Sequence, residues 1–186
     1  PTDGYLYELN ETVSGLGGDV KYLKTLLRAS YFKPLNFNRF ILGVRGRVGY
    51  VDGLGDKITQ SSRFSLGGRQ VRGFDAGGIG PRDTGVDTAV GGNNMYAATA
   101  EIVSSYGFSE DLGLRWTVFS DVGSVWGIDY PSGVTGPEDD TMRQSVGFGL
   151  LWSTALGPLT FYWADAVSKS SQDKVKRFQF SVGTRL

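Results

Sequence analysis

The sequence contains neither cysteine nor histidine. Without cysteine the chain has no disulfide and no thiol chemistry. Without histidine it lacks the side chain used most often as a general base or a metal ligand, and a Ser–His catalytic pair is excluded. We therefore expect no enzymatic activity, no catalytic residue, no metal site and no cofactor.

Excess charge and long apolar runs are also missing. Lys+Arg and Asp+Glu balance at 19 each, and this balance argues against a nucleic-acid partner. No stretch approaches the roughly 18 consecutive apolar residues that a membrane helix needs. A membrane β-barrel remains open, because its strands alternate apolar with polar residues and give a weak hydropathy signal.

Glycine and aromatic residues are abundant, with 28 glycines and 13% Phe, Trp and Tyr. Segments of strand character recur between turn-rich stretches, and no amphipathic helix of useful length is predicted. Most of these segments have about ten residues or more, which suits a tilted membrane strand. Eight strands are predicted, at about 4–14, 19–32, 38–51, 91–105, 110–127, 142–156, 158–168 and 175–186.

Two-residue alternation gives these strands an apolar face and a polar face. In the last strand the apolar face carries Phe178, Phe180, Val182 and Leu186, and the polar face carries Arg177, Gln179, Ser181, Gly183 and Arg185. An apolar face toward lipid and a polar face toward a lumen are typical of outer-membrane barrels. A soluble barrel or sandwich also alternates, but it would bury these charges in a small core at high cost.

The predicted connections differ in length. The turns around 107–110 and 156–158 are short, whereas the segments 52–90 and 128–141 are long. Short turns at one rim and long loops at the other are the arrangement of outer-membrane barrels. The sequence therefore predicts an all-β fold, an antiparallel transmembrane β-barrel region of eight strands.

The long 52–90 segment combines many glycines with apolar side chains. Glycines at this density permit tight backbone paths. The apolar residues need a surface to pack on, and a loop folded back into the barrel lumen would supply it. The apolar side chains in question are Phe64, Leu66, Val71, Phe74 and Ile79.

Motifs in this loop and beyond it resemble those of the BamA-type family of outer-membrane assembly insertases. Val71-Arg72-Gly73-Phe74, between Phe64-Ser65-Leu66-Gly67-Gly68 and Gly77-Gly78-Ile79-Gly80-Pro81-Arg82-Asp83, is similar to the family's sixth extracellular loop. The agreement continues in order through 90–93, 119–126, 156–159 and 178–183, and it extends upstream to 49–55. The resemblance covers essentially the whole chain.

The resemblance implies that Arg72 docks inside the barrel against Asp121, with Glu101 nearby. Alternation supports this placement, since both carboxylates fall on the polar faces of their strands. In the same motifs Gly73 lets the backbone turn and Phe74 is an apolar anchor, while Val71, Phe119 and Gly123 complete the pattern. The alternative is that Arg72 is a solvated loop charge.

The family opens a seam between its first and last barrel strands. Carried over, the seam residues are Phe178, Phe180, Gly183 and Leu186. Gly183 could bend the strand, because glycine weakens strand pairing. Leu186 stands where the family usually ends in an aromatic residue.

The resemblance further implies that residues 1–186 are the C-terminal half of a sixteen-strand barrel in the outer membrane of a Gram-negative bacterium. The periplasmic POTRA domains and the first barrel half are absent, and the start at Pro1 without a signal peptide also leads us to expect an excerpt. Implied partners are the lipid bilayer, unfolded outer-membrane proteins and assembly-complex lipoproteins. The alternatives are a related polypeptide-translocation or secretion barrel, and a self-contained eight-strand structural barrel or small pore.

Overall fold

The structure is a computed structural model that describes residues 2–15, 21–35, 39–55, 57–83, 85–128, 140–155 and 157–183. Nearly all regular structure in these ranges is β-strand, and two short 3₁₀ turns cover Gln60–Ser62 and Glu110–Leu112. No helix of the described ranges has the length and apolar character needed to cross a membrane.

Twelve strands are present in these ranges, eight of them in one antiparallel sheet. The strands are β1 Gly4–Ser14, β2 Tyr22–Leu35, β3 Phe40–Gly53, β4 Gly73–Phe74, β5 Arg82–Asp83, β6 Thr88–Ala89, β7 Asn94–Ser104, β8 Leu114–Trp126, β9 Arg143–Thr154, β10 Gly157–Ser168, β11 Val175–Lys176 and β12 Phe178–Val182. The order in the main sheet is β1-β2-β3-β7-β8-β9-β10-β12, so each long strand pairs with its neighbour in the chain. The predicted all-β antiparallel fold is confirmed.

The two faces of the sheet differ as alternation predicts. In β8, Val118 is exposed, whereas Thr117, Phe119 and Asp121 are buried. Residues from β2 and from β12, near opposite ends of the sheet, line one cavity, so the sheet is curled with the face of Asp121 inside. We call this inner side the concave face and the side of Val118 the convex face.

The longest connection, between β3 and β7, and the shortest, between β9 and β10, lie at opposite ends of the sheet. The link between β9 and β10 spans only 155–156, and that between β2 and β3 spans 36–39. The link between β3 and β7 spans 54–93 and contains β4, β5 and β6. We call the two ends the short-turn end and the long-loop end.

The last predicted strand, 175–186, is divided in the structure. Val175–Lys176 leaves the main sheet and pairs with Gly73–Phe74 of the long loop, and the sheet strand begins only at Phe178. The interruption overturns the expectation that Arg177 lies on the lumen face, because alternation does not carry across the break. The Arg177 side chain is 82% exposed and pairs with Asp165, itself 71% exposed, at 2.7 Å.

The main sheet is not closed within the described residues. Among the described residues β1 pairs only with β2, and β12 pairs only with β10. Each of these strands therefore presents an outer edge of backbone donors and acceptors without a partner strand in the described ranges, which is a template for further pairing.

A glycine on the concave face offers a test of how tightly the side chains on that face pack. A Cβ at Gly147 would lie 2.6 Å from the Phe119 ring and closer still to the Trp163 backbone oxygen, whereas a Cβ at Gly46 on β3 would have no atom within 4 Å. Overpacking of this kind costs roughly 1–3 kcal/mol. We expect Gly147→Ala to lower the temperature at which the full-length protein loses its compact, SDS-resistant form on gels, and Gly46→Ala to leave it unchanged. Equal behaviour of the two variants would contradict the packing described.

Candidate functional site

The 54–93 loop lies against the concave face and forms the hydrophobic core with it. The backbone of the loop is ordered by antiparallel bridges between Phe64 and Gly92 and between Leu66 and Ile79. The core contains the loop side chains Ile58, Phe64, Leu66, Val71, Phe74 and Ile79 and the strand side chains Val51, Met95, Ala97 and Val125. The loop thus packs on the concave face of the sheet, as its apolar residues lead us to expect.

Arg72 is the polar centre of this interface. Its Nε donates to Asp121 Oδ2 and its Nη2 donates to Asp121 Oδ1, both at 2.8 Å, and its backbone N–H also donates to Oδ2 at 2.9 Å. Asp121 is 0% exposed. The guanidinium fork matches a carboxylate in this two-bond geometry, and each charge-assisted bond contributes about 1.5–3 kcal/mol.

Glu101 on β7 connects the docked arginine to a second one. Its Oε2 accepts from Arg72 Nη1 at 3.3 Å, and its Oε1 accepts from Arg45 Nη2 at 2.6 Å. Burial disfavours the charged guanidinium, but the hydrogen bonds that Arg72 donates to Asp121, together with the charges of Asp121 and Glu101, outweigh it and raise the pKa of Arg72 above its ordinary value. Arg72 is therefore a cation in the folded protein.

Two aromatic rings complete the surroundings of Arg72. We call Asp121, Glu101 and these two rings the Arg72 socket. The guanidinium carbon lies 3.4 Å from the Phe119 ring centroid and 4.9 Å from that of Tyr162. The two rings meet edge to face, with centroids 5.7 Å apart. A cation over an aromatic face is attracted by the ring quadrupole, the more so where water is excluded. Phe119 is thus a platform for Arg72.

Two glycines let the loop approach this closely. Gly73 has a φ of 89°, which disfavours any side chain. A Cβ at Gly123 on β8 would lie 2.9 Å from Leu66 Cδ2 and 3.1 Å from Val71 Cγ2. Glycine at 123 therefore makes room for the apolar residues on both sides of the loop's turn.

The loop tip is also attached to the segment before the last strand. Gly73 and Phe74 pair antiparallel with Lys176 and Val175. Gln179 of β12 donates from its side chain to the Phe74 carbonyl at 2.7 Å. The last strand is therefore held by the loop as well as by β10.

A second buried ion pair was not predicted from the sequence. Arg143, at the start of β9, donates through Nε to Asp173 Oδ2 at 3.0 Å, and the exposures of the two side chains are 2% and 1%. The pair fixes the 169–174 connection to the sheet. Two-residue spacing from Ser145 places Arg143 on the concave face, but no sequence signal identified Asp173 as its partner.

The seam residues lie away from the Arg72 socket. Phe178 and Phe180 are exposed on the convex face. Gly183, just after β12, donates its N–H to the Pro158 carbonyl at 2.8 Å, so pairing with β10 continues beyond the assigned strand. Leu186 lies outside the described residues.

The site offers an anchor for the loop. Removing one partner of a buried ion pair costs about 3–5 kcal/mol, because the other charge stays buried and uncompensated. We expect Arg72→Ala to undock the loop and to open the buried Arg63 and Arg82 to trypsin, which the native fold protects. Arg72→Lys should have an intermediate effect, since lysine lacks the planar fork.

Asp165→Ala is the matched control, because it breaks the exposed pair with Arg177, and exposed pairs contribute about 0–1 kcal/mol. The digestion pattern should then equal that of the parent protein. A loop in Arg72→Ala that resists trypsin as well as the parent does would contradict the anchoring role.

Comparisons with known proteins agree with this architecture. A family model described as "Omp85 superfamily domain" matches residues 1–186. The outer membrane protein assembly factor BamA of Neorickettsia risticii is 33% identical over 183 residues, which is 98% of this chain and 24% of that protein. BamA of Neisseria meningitidis serogroup B is 30% identical over 99% of this chain and 26% of that protein.

A solved structure shows the same fold. The crystal structure of BamA from Haemophilus ducreyi lacking POTRA domains 1–3 superposes with a TM-score of 0.86 at 28% identity and covers 99% of this chain and 39% of that one. The chain thus spans about a quarter of the length of the curated relatives it matches. With a family model matched over its whole length, the chain belongs to the Omp85 superfamily.

Proposed function

We propose that this chain is the C-terminal part of the barrel of an outer-membrane assembly insertase, which folds and inserts other outer-membrane proteins. The observation that carries the proposal is the buried contact of Arg72 with Asp121 and Glu101, at the motifs whose resemblance to such insertases was noted in the sequence. The names of the relatives, outer membrane protein assembly factors, support the same function.

We place the convex face in the lipid of the outer membrane of a Gram-negative bacterium. Large apolar side chains are exposed along it, including Phe148 and Phe180. The Trp163 ring stacks on Phe148 with a centroid distance of 5.3 Å and contacts Phe178 in a tilted geometry at 5.1 Å. Exposing this surface to water would cost about 25 cal/mol per Å², and contiguous apolar patches of this kind mark membrane or protein contacts.

The proposed activity uses backbone pairing. The outer edge of β12 has no partner strand among the described residues, and an extended segment can add to such an edge through main-chain hydrogen bonds. An unfolded outer-membrane protein is the proposed substrate, and assembly-complex lipoproteins are proposed partners of the whole protein. The activity needs no catalytic residue, nucleotide or cofactor.

The alternatives fit less well. A small pore made by these strands alone would need a closed sheet and an open lumen, but the loop packs into the concave face and the described strands leave two open edges. A related translocation or secretion barrel shares the fold, and the names of the matched relatives favour assembly over secretion.

Reconstitution of the full-length protein in liposomes tests the function. Urea-unfolded outer-membrane protein is added, and its folded fraction is followed by heat-dependent mobility on gels. Because Asp121→Asn removes the charge that holds Arg72, we expect it to slow assembly by about tenfold or more, the factor that corresponds to about 1.4 kcal/mol. Asp165→Asn, which alters an exposed carboxylate, should assemble at the parent rate.

Parent protein that does not accelerate folding above empty liposomes would contradict the insertase assignment. If Asp121→Asn protein is inserted normally and assembles the substrate at the parent rate, the activity does not depend on the docked loop.

A further inference from the structure

A cavity of about 390 Å³ lies between the docked loop and the concave face. Its walls come from β2 and β3 on one side and from β10 and β12 on the other. The volume is within the range of about 300–1,000 Å³ that is typical of ligand sites. The cavity is separate from the contact of Arg72 with Asp121, which it only borders.

The charge of this cavity is strongly one-sided. Five arginines and a single carboxylate line it: Arg28, Arg45, Arg47, Arg69, Arg72 and Glu101. We call it the arginine chamber. A chamber with low-dielectric walls and charge of one sign concentrates ligands of the opposite sign.

Three of the five cations already have a carboxylate partner. Arg72 is held by Asp121, Arg45 donates to Glu101, and Arg28 donates to Glu8 at 2.7 Å. The structure gives Arg47 and Arg69 no carboxylate within ion-pair distance in the described ranges. Among the described residues, Arg69 donates to the Ser181 hydroxyl, at 2.5 Å.

The position of Arg47 adds to the excess of positive charge in the chamber. It stands directly across from Arg28 in the pairing of β2 with β3, and Arg45 is two residues away on the same face of β3. Like charges directly opposite each other destabilise a strand pair. A bound anion would relieve this repulsion.

We propose that the arginine chamber binds carboxylate side chains of an unfolded polypeptide segment. A guanidinium recognises a carboxylate through two parallel N–H bonds. The remaining wall groups, among them Thr99, Thr160 and Gln179, can hydrogen-bond a peptide. The chamber reaches β12, whose outer edge is open, so a strand added there would direct alternate side chains inward. The identity of the ligand as a polypeptide rests on the proposed function; the anion selectivity rests on the chamber.

Peptide binding to the full-length protein in detergent tests the proposal. The probe is a short labelled glutamate-rich peptide, compared with the same peptide carrying glutamine, and binding is followed by fluorescence anisotropy. We expect the glutamate peptide to bind about tenfold tighter, and Arg47→Gln and Arg69→Gln each to weaken it by about five- to tenfold, because each removes one charge-assisted contact. Arg177→Gln, which changes an exposed arginine outside the chamber, should bind like the parent.

Several results would overturn the proposal. Equal affinity for the two peptides, or no effect of Arg47→Gln and Arg69→Gln in protein that keeps its compact form on gels, would show that the chamber does not select carboxylates. Inorganic phosphate that binds with the same dependence on Arg47, without binding of the glutamate peptide, would reassign the site to a small oxyanion.

Assembly rates measured in the same preparations separate this proposal from the proposed function. Normal assembly with no preference for the glutamate peptide overturns the chamber alone. Selective peptide binding without any assembly overturns the proposed function and leaves the anion selectivity standing.

Discussion

The buried ion pair between Arg72 and Asp121 is the interaction on which the rest of the structure depends. A loop as long as 54–93 loses much conformational entropy when it is ordered, and an unpaired carboxylate on the concave face of β8 would be costly to bury. The contact between Arg72 and Asp121 offsets both costs. The loop brings a cation that pairs with the buried Asp121, and Asp121 holds the loop through three hydrogen bonds. Replacing both partners of such a pair by apolar residues is often neutral, whereas removing one partner alone is strongly destabilising.

The residues around the ion pair of Arg72 and Asp121 accommodate its geometry. Glycines at 123 and 147 leave room for the loop's apolar residues and for the Phe119 ring beneath Arg72. The loop in turn pairs with Val175–Lys176 just before the last strand. The docked loop therefore contacts both the Arg72 socket and the segment that precedes the strand with the open edge.

Much of this was predictable from the sequence, because alternation fixes faces. The two-residue period placed Glu101 and Asp121 on the concave face, and the glycine-rich motif with its apolar residues placed the loop there. The division of the last strand was not predictable, since the departure of Val175–Lys176 depends on pairing with residues a hundred positions earlier. The same holds for Arg143 and Asp173, whose contact depends on how the 169–174 connection folds. The cluster of charge in the arginine chamber could not be predicted from the sequence either, because its arginines come from β2, β3 and the loop.

Hydrogen–deuterium exchange of the full-length protein tests the central claim most directly. The N–H of Arg72 donates to buried Asp121, so the peptide that contains Val71–Phe74 should be protected as strongly as β8. In Asp121→Ala protein this protection should fall to the level of the exposed 85–87 turn, while β2 and β3 stay protected. Fast exchange of Val71–Phe74 in the parent protein, or unchanged protection in the variant, would contradict the claim that this ion pair anchors the loop.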